Sequence, residues 1–126
     1  VLRYAKLRNP INHPTVMFRK NAVLSVNSYE EMPYFEDYFL WIKLLNNGYV
    51  IENINEVLLY FRIGNNMIGR RRGVNYFKHE LKFMKSIRKN GFINYLTFFK
   101  LICLRLPLRL MPQKILVTIY GRFLRK

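Results

Sequence analysis

The residues best equipped for chemistry sit in one short run, Phe35-Glu36-Asp37-Tyr38-Phe39-Leu40-Trp41. Two adjacent carboxylates at the start of an apolar helical pattern have two readings. One is general-base catalysis: an alcohol is a poor nucleophile, and a carboxylate within hydrogen-bond reach can take its proton as it attacks. A half-buried, aromatic-lined setting in which two carboxylates raise each other's proton affinity would serve that role. The other reading is plain helix stabilisation, because acids in a first turn complement the helix dipole. Taken alone, the run favours the second.

The elements that must position this run can be read from spacing. Asn9-Pro10 and His13-Pro14 predict turn or extended dipeptides, since the residue before proline is pushed out of the helical region. Residues 15–19 predict a short strand, and residues 21–26 one or two helical turns with Asn21 able to cap. Pro33 opens the next unit. Phe35, Phe39, Leu40, Ile42 and Leu45 recur at helical steps over residues 35–47, with Trp41 and Leu44 widening the face. Asn46-Asn47-Gly48 is a helix stop. Residues 49–54 and 57–62 predict two further strands. Beyond the basic hinge at residues 69–73, Val74, Phe77, Leu81 and Met84 predict the apolar stripe of a helix. Lys78, Lys82, Lys85 and Lys89 form a basic stripe beside it, and Asn90-Gly91 ends it. Residues 92–111 are dense in Leu, Phe and Ile but carry Lys100, Arg105 and Arg109. They predict an interfacial helix broken near Pro107 rather than a membrane span. Pro112 starts a last helical pattern.

Charge divides the chain of 126 residues. Its net charge is +15. Residues 1–69 hold seven Lys/Arg and six Asp/Glu, or +1, whereas residues 70–126 hold fifteen Lys/Arg against Glu80 alone, or +14. The expected organisation is a balanced α/β segment over 1–69 carrying the Glu-Asp motif, and a basic amphipathic helical segment over 70–126 that meets an anionic surface. With 51% hydrophobic and 16% aromatic residues, the chain is not a disordered tail. The chain starts Val1-Leu2-Arg3, without Met or a secretory-signal pattern, and reads as a fragment. The sole cysteine, Cys103, excludes an internal disulfide and reads as a small buried hydrophobe; no Cys/His cluster has zinc spacing.

Four motifs in order resemble family 2 glycosyltransferases, the inverting enzymes of bacterial capsule, exopolysaccharide and O-antigen assembly. They are residues 9–20 (Asn-Pro-Ile-Asn-His-Pro-Thr-Val-Met-Phe-Arg-Lys), residues 35–41, Gly48-Tyr49, and Val57-Leu58-Leu59-Tyr60-Phe61-Arg62. The resemblance covers most of residues 8–75. It implies an α/β fold, the C-terminal portion of the GT-A nucleotide-diphospho-sugar transferase fold, followed by a basic helical tail. It implies that Asp37 is the catalytic base and Glu36 its neighbour, with transfer from a nucleotide sugar to a hydroxyl on a saccharide expected to be lipid-linked. It places His13 and Thr15 on the acceptor side, and Trp41 against the sheet, more as core than as a sugar platform. His13 equally reads as a loop histidine bonded to backbone. Arg62 reads as a diphosphate contact or as a partner of Glu56, with Asn65 and Asn66 in the same loop.

Two departures qualify the likeness. Gly64 stands where many relatives carry a histidine that helps hold the metal. The Asp-x-Asp metal and nucleotide motif is missing, for Asp37 is the only aspartate. The divalent metal (Mg or Mn) that the resemblance implies would therefore take its ligands mostly from outside this chain, and the isolated 126 residues are expected to be inactive. Arg70, Arg71, Arg72 and the lysine stripe are the expected anion contacts. A non-catalytic basic module binding membrane or nucleic acid stays open as the alternative. Nucleic acid is disfavoured because residues 92–111 are too apolar for such a surface. The same run packing on a missing half of the protein stays open beside the membrane reading. A lipid-linked acceptor would place the enzyme on the cytoplasmic face of the cell membrane.

Overall fold

The computed structural model describes residues 1–60, 71–112 and 115. Among them the order is α1 (Leu2–Ala5), a 3-10 turn (His13–Thr15), α2 (Lys20–Ser25), α3 (Glu36–Asn46), α4 (Gly73–Lys89) and α5 (Tyr95–Leu110). The described residues form helices and irregular connections, with no strand.

This corrects the α/β expectation. Thr15 closes the 3-10 turn rather than opening a strand, and residues 49–60 are irregular. The apolar, β-branched composition of residues 50–60 is real. A strand, however, needs a neighbour whose backbone it can pair with, and among the described residues none pairs with this segment. Its side chains stand in solvent: Val50 is 82% exposed, Ile54 70%, Val57 79% and Leu58 68%. Residues 61 and 62, the end of the second expected strand, lie outside the described residues.

The acid-motif helix α3 is the centre of the structure. Tyr38, Phe39, Leu40, Trp41, Ile42 and Leu44 are all buried. A helix apolar nearly all round must be covered on more than one side, and α3 is. Tyr38, Phe39 and Ile42 join Met32 and Phe35 in a core with Tyr76, Phe83, Met84 and Ile87 of α4 and Leu101 of α5. Leu40, Trp41 and Leu44 face Val23 and Val26 beside α2. Phe35 stacks on Phe83 at 4.8 Å between centroids, nearly parallel at 12°. Helix α2 begins at Lys20 with Arg19 at its N-cap, so Asn21 lies inside the first turn instead of capping it.

The two Asn-Gly stops work as their composition predicts. After α3, Gly48 takes a left-handed φ of +82°, its N–H bonds Leu45 O (3.2 Å) and the Tyr49 N–H bonds Leu44 O (3.1 Å). After α4, Gly91 has φ +72°, with Gly91 N–H on Arg88 O (2.9 Å) and Phe92 N–H on Ile87 O (3.0 Å). Both are Schellman closures, which satisfy carbonyls the helix leaves over.

Two helical readings need adjustment. The core face of α4 is Tyr76, Glu80, Phe83, Met84 and Ile87, not the stripe through Val74, Phe77 and Leu81. Val74 is exposed and Phe77 and Leu81 are half-buried. The large rings of Tyr76 and Phe83 meet Phe35 and rotate the helix toward themselves. Helix α5 starts at Tyr95, after Phe92 and Ile93 are buried in the turn, and it runs through Pro107 to Leu110. Proline removes only its own N–H bond, and the Met111 N–H still reaches Pro107 O at 3.0 Å. Asn94 caps α5 by accepting the Thr97 N–H at 2.8 Å.

Candidate active site around Asp37

The Asn9-Pro10 turn brings a side-chain amide to the acid motif. Asn9 Nδ2 donates to Asp37 Oδ2 at 3.0 Å, while Asn9 Oδ1 accepts the Ile11 N–H at 3.3 Å. Asp37 Oδ1 accepts the Tyr38 N–H at 2.7 Å, in the first turn of α3 where backbone donors are unspent. Among the described residues no cation lies within ion-pair distance of Asp37. Its carboxylate is half-buried, held by neutral donors on a rigid helix, and keeps lone pairs for a further proton donor.

Two rings complete the neighbourhood. The Tyr29 hydroxyl is pushed above its ordinary pKa, first by burial and then by the charge of Asp37. The His13 ring meets Tyr29 edge-on at 5.9 Å and lies 6.1 Å from the Trp41 ring. One turn beyond Asp37 on α3, Trp41 is 1% exposed; its Nε1–H has no hydrogen-bond partner. Thr15 turns its hydroxyl onto Asn12 O at 2.7 Å, and Glu36 is exposed beside Asp37. The structure thus gathers Asp37, His13 and Trp41, and adds Asn9 and Tyr29. Asn9 is legible as a turn residue; nothing in the spacing marks Tyr29. Immediately before the motif, Tyr34 holds a left-handed φ of +71°, a conformation that costs a non-glycine residue about 1–2 kcal/mol. Arg62, Asn65 and Arg70 lie outside the described residues.

Of the basic residues, Arg71, Lys78, Lys82, Lys85 and Lys89 are exposed, whereas Arg72 is half-buried and donates to Met111 O at 2.7 Å. Sequence reasoning passed over Glu80. It is wholly buried between α4 and α5, accepting from Arg109 Nε (2.8 Å), Arg109 Nη2 (3.0 Å) and Arg105 Nη1. Arg105 also donates to Leu7 O, and the Arg109 guanidinium lies over the Tyr76 ring at 4.8 Å. Burial alone would raise the Glu80 carboxyl; the two guanidinium partners outweigh it and hold the group below the usual carboxylate range. The signal was present: one acid in a +14 half, at helical spacing from Tyr76 and Phe83. Cys103, expected to be buried, is exposed on α5.

Along its whole length the chain is similar to bacterial glycosyltransferases. It is 39% identical over 126 residues to an uncharacterized glycosyltransferase of Haemophilus influenzae, covering 100% of the chain and 46% of that protein. It is 36% identical over 123 residues to the amylovoran biosynthesis glycosyltransferase AmsE of Erwinia amylovora, covering 95% and 45%. It is 35% identical over 126 residues to an Escherichia coli UDP-Gal:alpha-D-GlcNAc-diphosphoundecaprenol beta-1,3-galactosyltransferase, covering 100% and 46%. The chain therefore spans about half the length of these relatives. No family model and no solved structure matches it.

Two concavities open away from Asp37. One of about 320 Å³ lies by Ser25, Glu30 and Lys43; the other, of about 690 Å³, lies at the α4–α5 turn. Among the described residues no group of three or more His, Cys, Asp or Glu side chains converges to hold a metal ion. The described residues do not by themselves form a divalent-metal site.

Proposed function

We propose that this chain supplies the general base of a glycosyl transfer from a nucleotide sugar to a saccharide hydroxyl. The observation that carries it is the Asp37 carboxylate, held by Asn9 and a helix-terminal N–H, with no cation within ion-pair distance among the described residues. The acceptor O–H gives its proton to an Asp37 oxygen as the hydroxyl oxygen attacks the anomeric carbon. The bond from that carbon to the diphosphate breaks, the nucleoside diphosphate leaves with the electron pair, and configuration inverts. The buried, doubly packed α3 fixes the base, which is the positioning such a step requires. The family 2 and GT-A assignments rest on the sequence resemblance. The names of the relatives support the transferase class.

The acceptor is lipid-linked in this reading, as the name of the Escherichia coli relative says of its own substrate. On this reading the enzyme works at the inner face of the cell membrane. The exposed lysine stripe of α4 supports contact with an anionic surface, and the exposed apolar residues of α5 favour lipid over nucleic acid. The divalent metal and the nucleotide would be held by residues beyond those described.

Asp37→Asn keeps the volume and one acceptor oxygen, for either the Asn9 amide or the Tyr38 N–H, but cannot take a proton. In the intact protein it should lower kcat about 10²–10⁴-fold while donor binding and helical content stay unchanged. Transfer within a few-fold of wild type would end the general-base reading.

A further inference from the structure

The turn between α4 and α5 holds a concavity of about 690 Å³ lined by Lys85, Ser86, Arg88, Lys89, Asn94 and Tyr95 among others. Three cations therefore face one space. The only acid in residues 70–126 is Glu80, and it is committed to Arg105 and Arg109. Among the described residues no carboxylate lies within ion-pair distance of Lys85, Arg88 or Lys89. Arg88 is held by aromatic faces instead, its guanidinium 4.3 Å from the Tyr95 centroid and 5.4 Å from that of Phe98. Its Nε lacks a hydrogen-bond partner. An unneutralised, pre-positioned guanidinium flanked by two ammonium groups matches the charge and donor geometry of a phosphate.

A second feature points to the source of that phosphate. From the same turn, α5 carries Leu96, Phe99, Cys103, Pro107 and Leu110 at three- and four-residue steps, all exposed. Leu96 is 79% exposed and Phe99 62%. This is an uncharged stripe along 16 residues, on a helix neither long nor apolar enough to cross a membrane. A cationic hollow at the head of an apolar stripe has the layout of a bilayer interface, with phosphate level above acyl chains.

We propose that the α4–α5 concavity seats the phosphate of an anionic membrane-lipid headgroup, with the exposed stripe of α5 lying in the interface beside it. The proposal rests on the surface-contact half of the reading above and is independent of Asp37.

The test uses the intact protein and phosphatidylcholine vesicles carrying either phosphatidic acid or oleate at equal surface charge, read by sedimentation. Wild type should partition more strongly to phosphatidic acid. Lys85→Gln with Lys89→Gln should reduce that partitioning about 30-fold. Arg19→Gln with Lys20→Gln removes the same charge away from the concavity and the α4 stripe and should cost about threefold or less. Equal losses from the two pairs, or equal partitioning to phosphate and carboxylate vesicles, would overturn the phosphate site. No partitioning of wild type to any vesicle, or tighter binding to a single-stranded RNA, would overturn the membrane assignment. Each result leaves the Asp37→Asn outcome unaffected, so the two readings fail separately.

Discussion

Replacing Glu80 with glutamine removes the charge at the α4–α5 interface while leaving the volume almost unchanged. The carboxylate accepts three guanidinium N–H bonds and is wholly buried, and the side chains of Arg105 and Arg109 are only 16% and 12% exposed. A carboxamide offers one acceptor oxygen and turns an NH2 group toward cations. Breaking a buried pair by removing one partner costs about 3–5 kcal/mol. Because about 1.4 kcal/mol is a factor of ten, amide hydrogen exchange in α4 around position 80 should accelerate at least about 100-fold in Glu80→Gln. Mass spectrometry of peptides covering residues 73–89 reads this in the intact protein. Acceleration below about tenfold would refute the idea that the carboxylate joins the two helices. An all-apolar replacement, Glu80→Met with Arg105→Met and Arg109→Leu, should recover most of the loss, because no uncompensated charge is then buried.

The same carboxylate predicts an acid limb in stability. Its folded-state pKa lies below the unfolded one, so its contribution is full above the ordinary carboxylate range and is lost as pH falls through the lower folded value. The urea midpoint should fall as pH drops below the ordinary carboxylate range, and less steeply in Glu80→Gln. At Gly48, φ is +82° and the space for a Cβ is open, so Gly48→Ala should cost only backbone strain, about 1 kcal/mol by urea titration. Trp41→Ala should cost about 3–5 kcal/mol by the same measurement, from cavity formation. Trp41→Phe should cost less than about 1.5 kcal/mol, since the N–H it deletes is buried without a partner.

What the sequence made legible were features with local causes. The extent of α3, its acids and its glycine stop follow from spacing and backbone freedom within a dozen residues, and so do α4 and its Gly91 closure. The strands were not legible, because a strand is a property of two segments: among the described residues the β-branched run at 50–60 meets no partner. The rotation of α4 was hidden for a similar reason. It is set by which rings meet Phe35 across the core, and by two arginines about 25 to 29 residues away that make Glu80 a core residue. At the site, Asp37 stood out by composition, Asn9 only by its turn, and Tyr29 by nothing local.

Arg105 touches more than a carboxylate. Through Leu7 O it grips the chain two residues ahead of Asn9, the residue whose amide steadies Asp37. Helix α5 is thus tied to the stretch of backbone that holds Asn9 against the Asp37 carboxylate. Any movement of α5 would therefore be passed through Leu7 to the turn that holds Asn9 against Asp37.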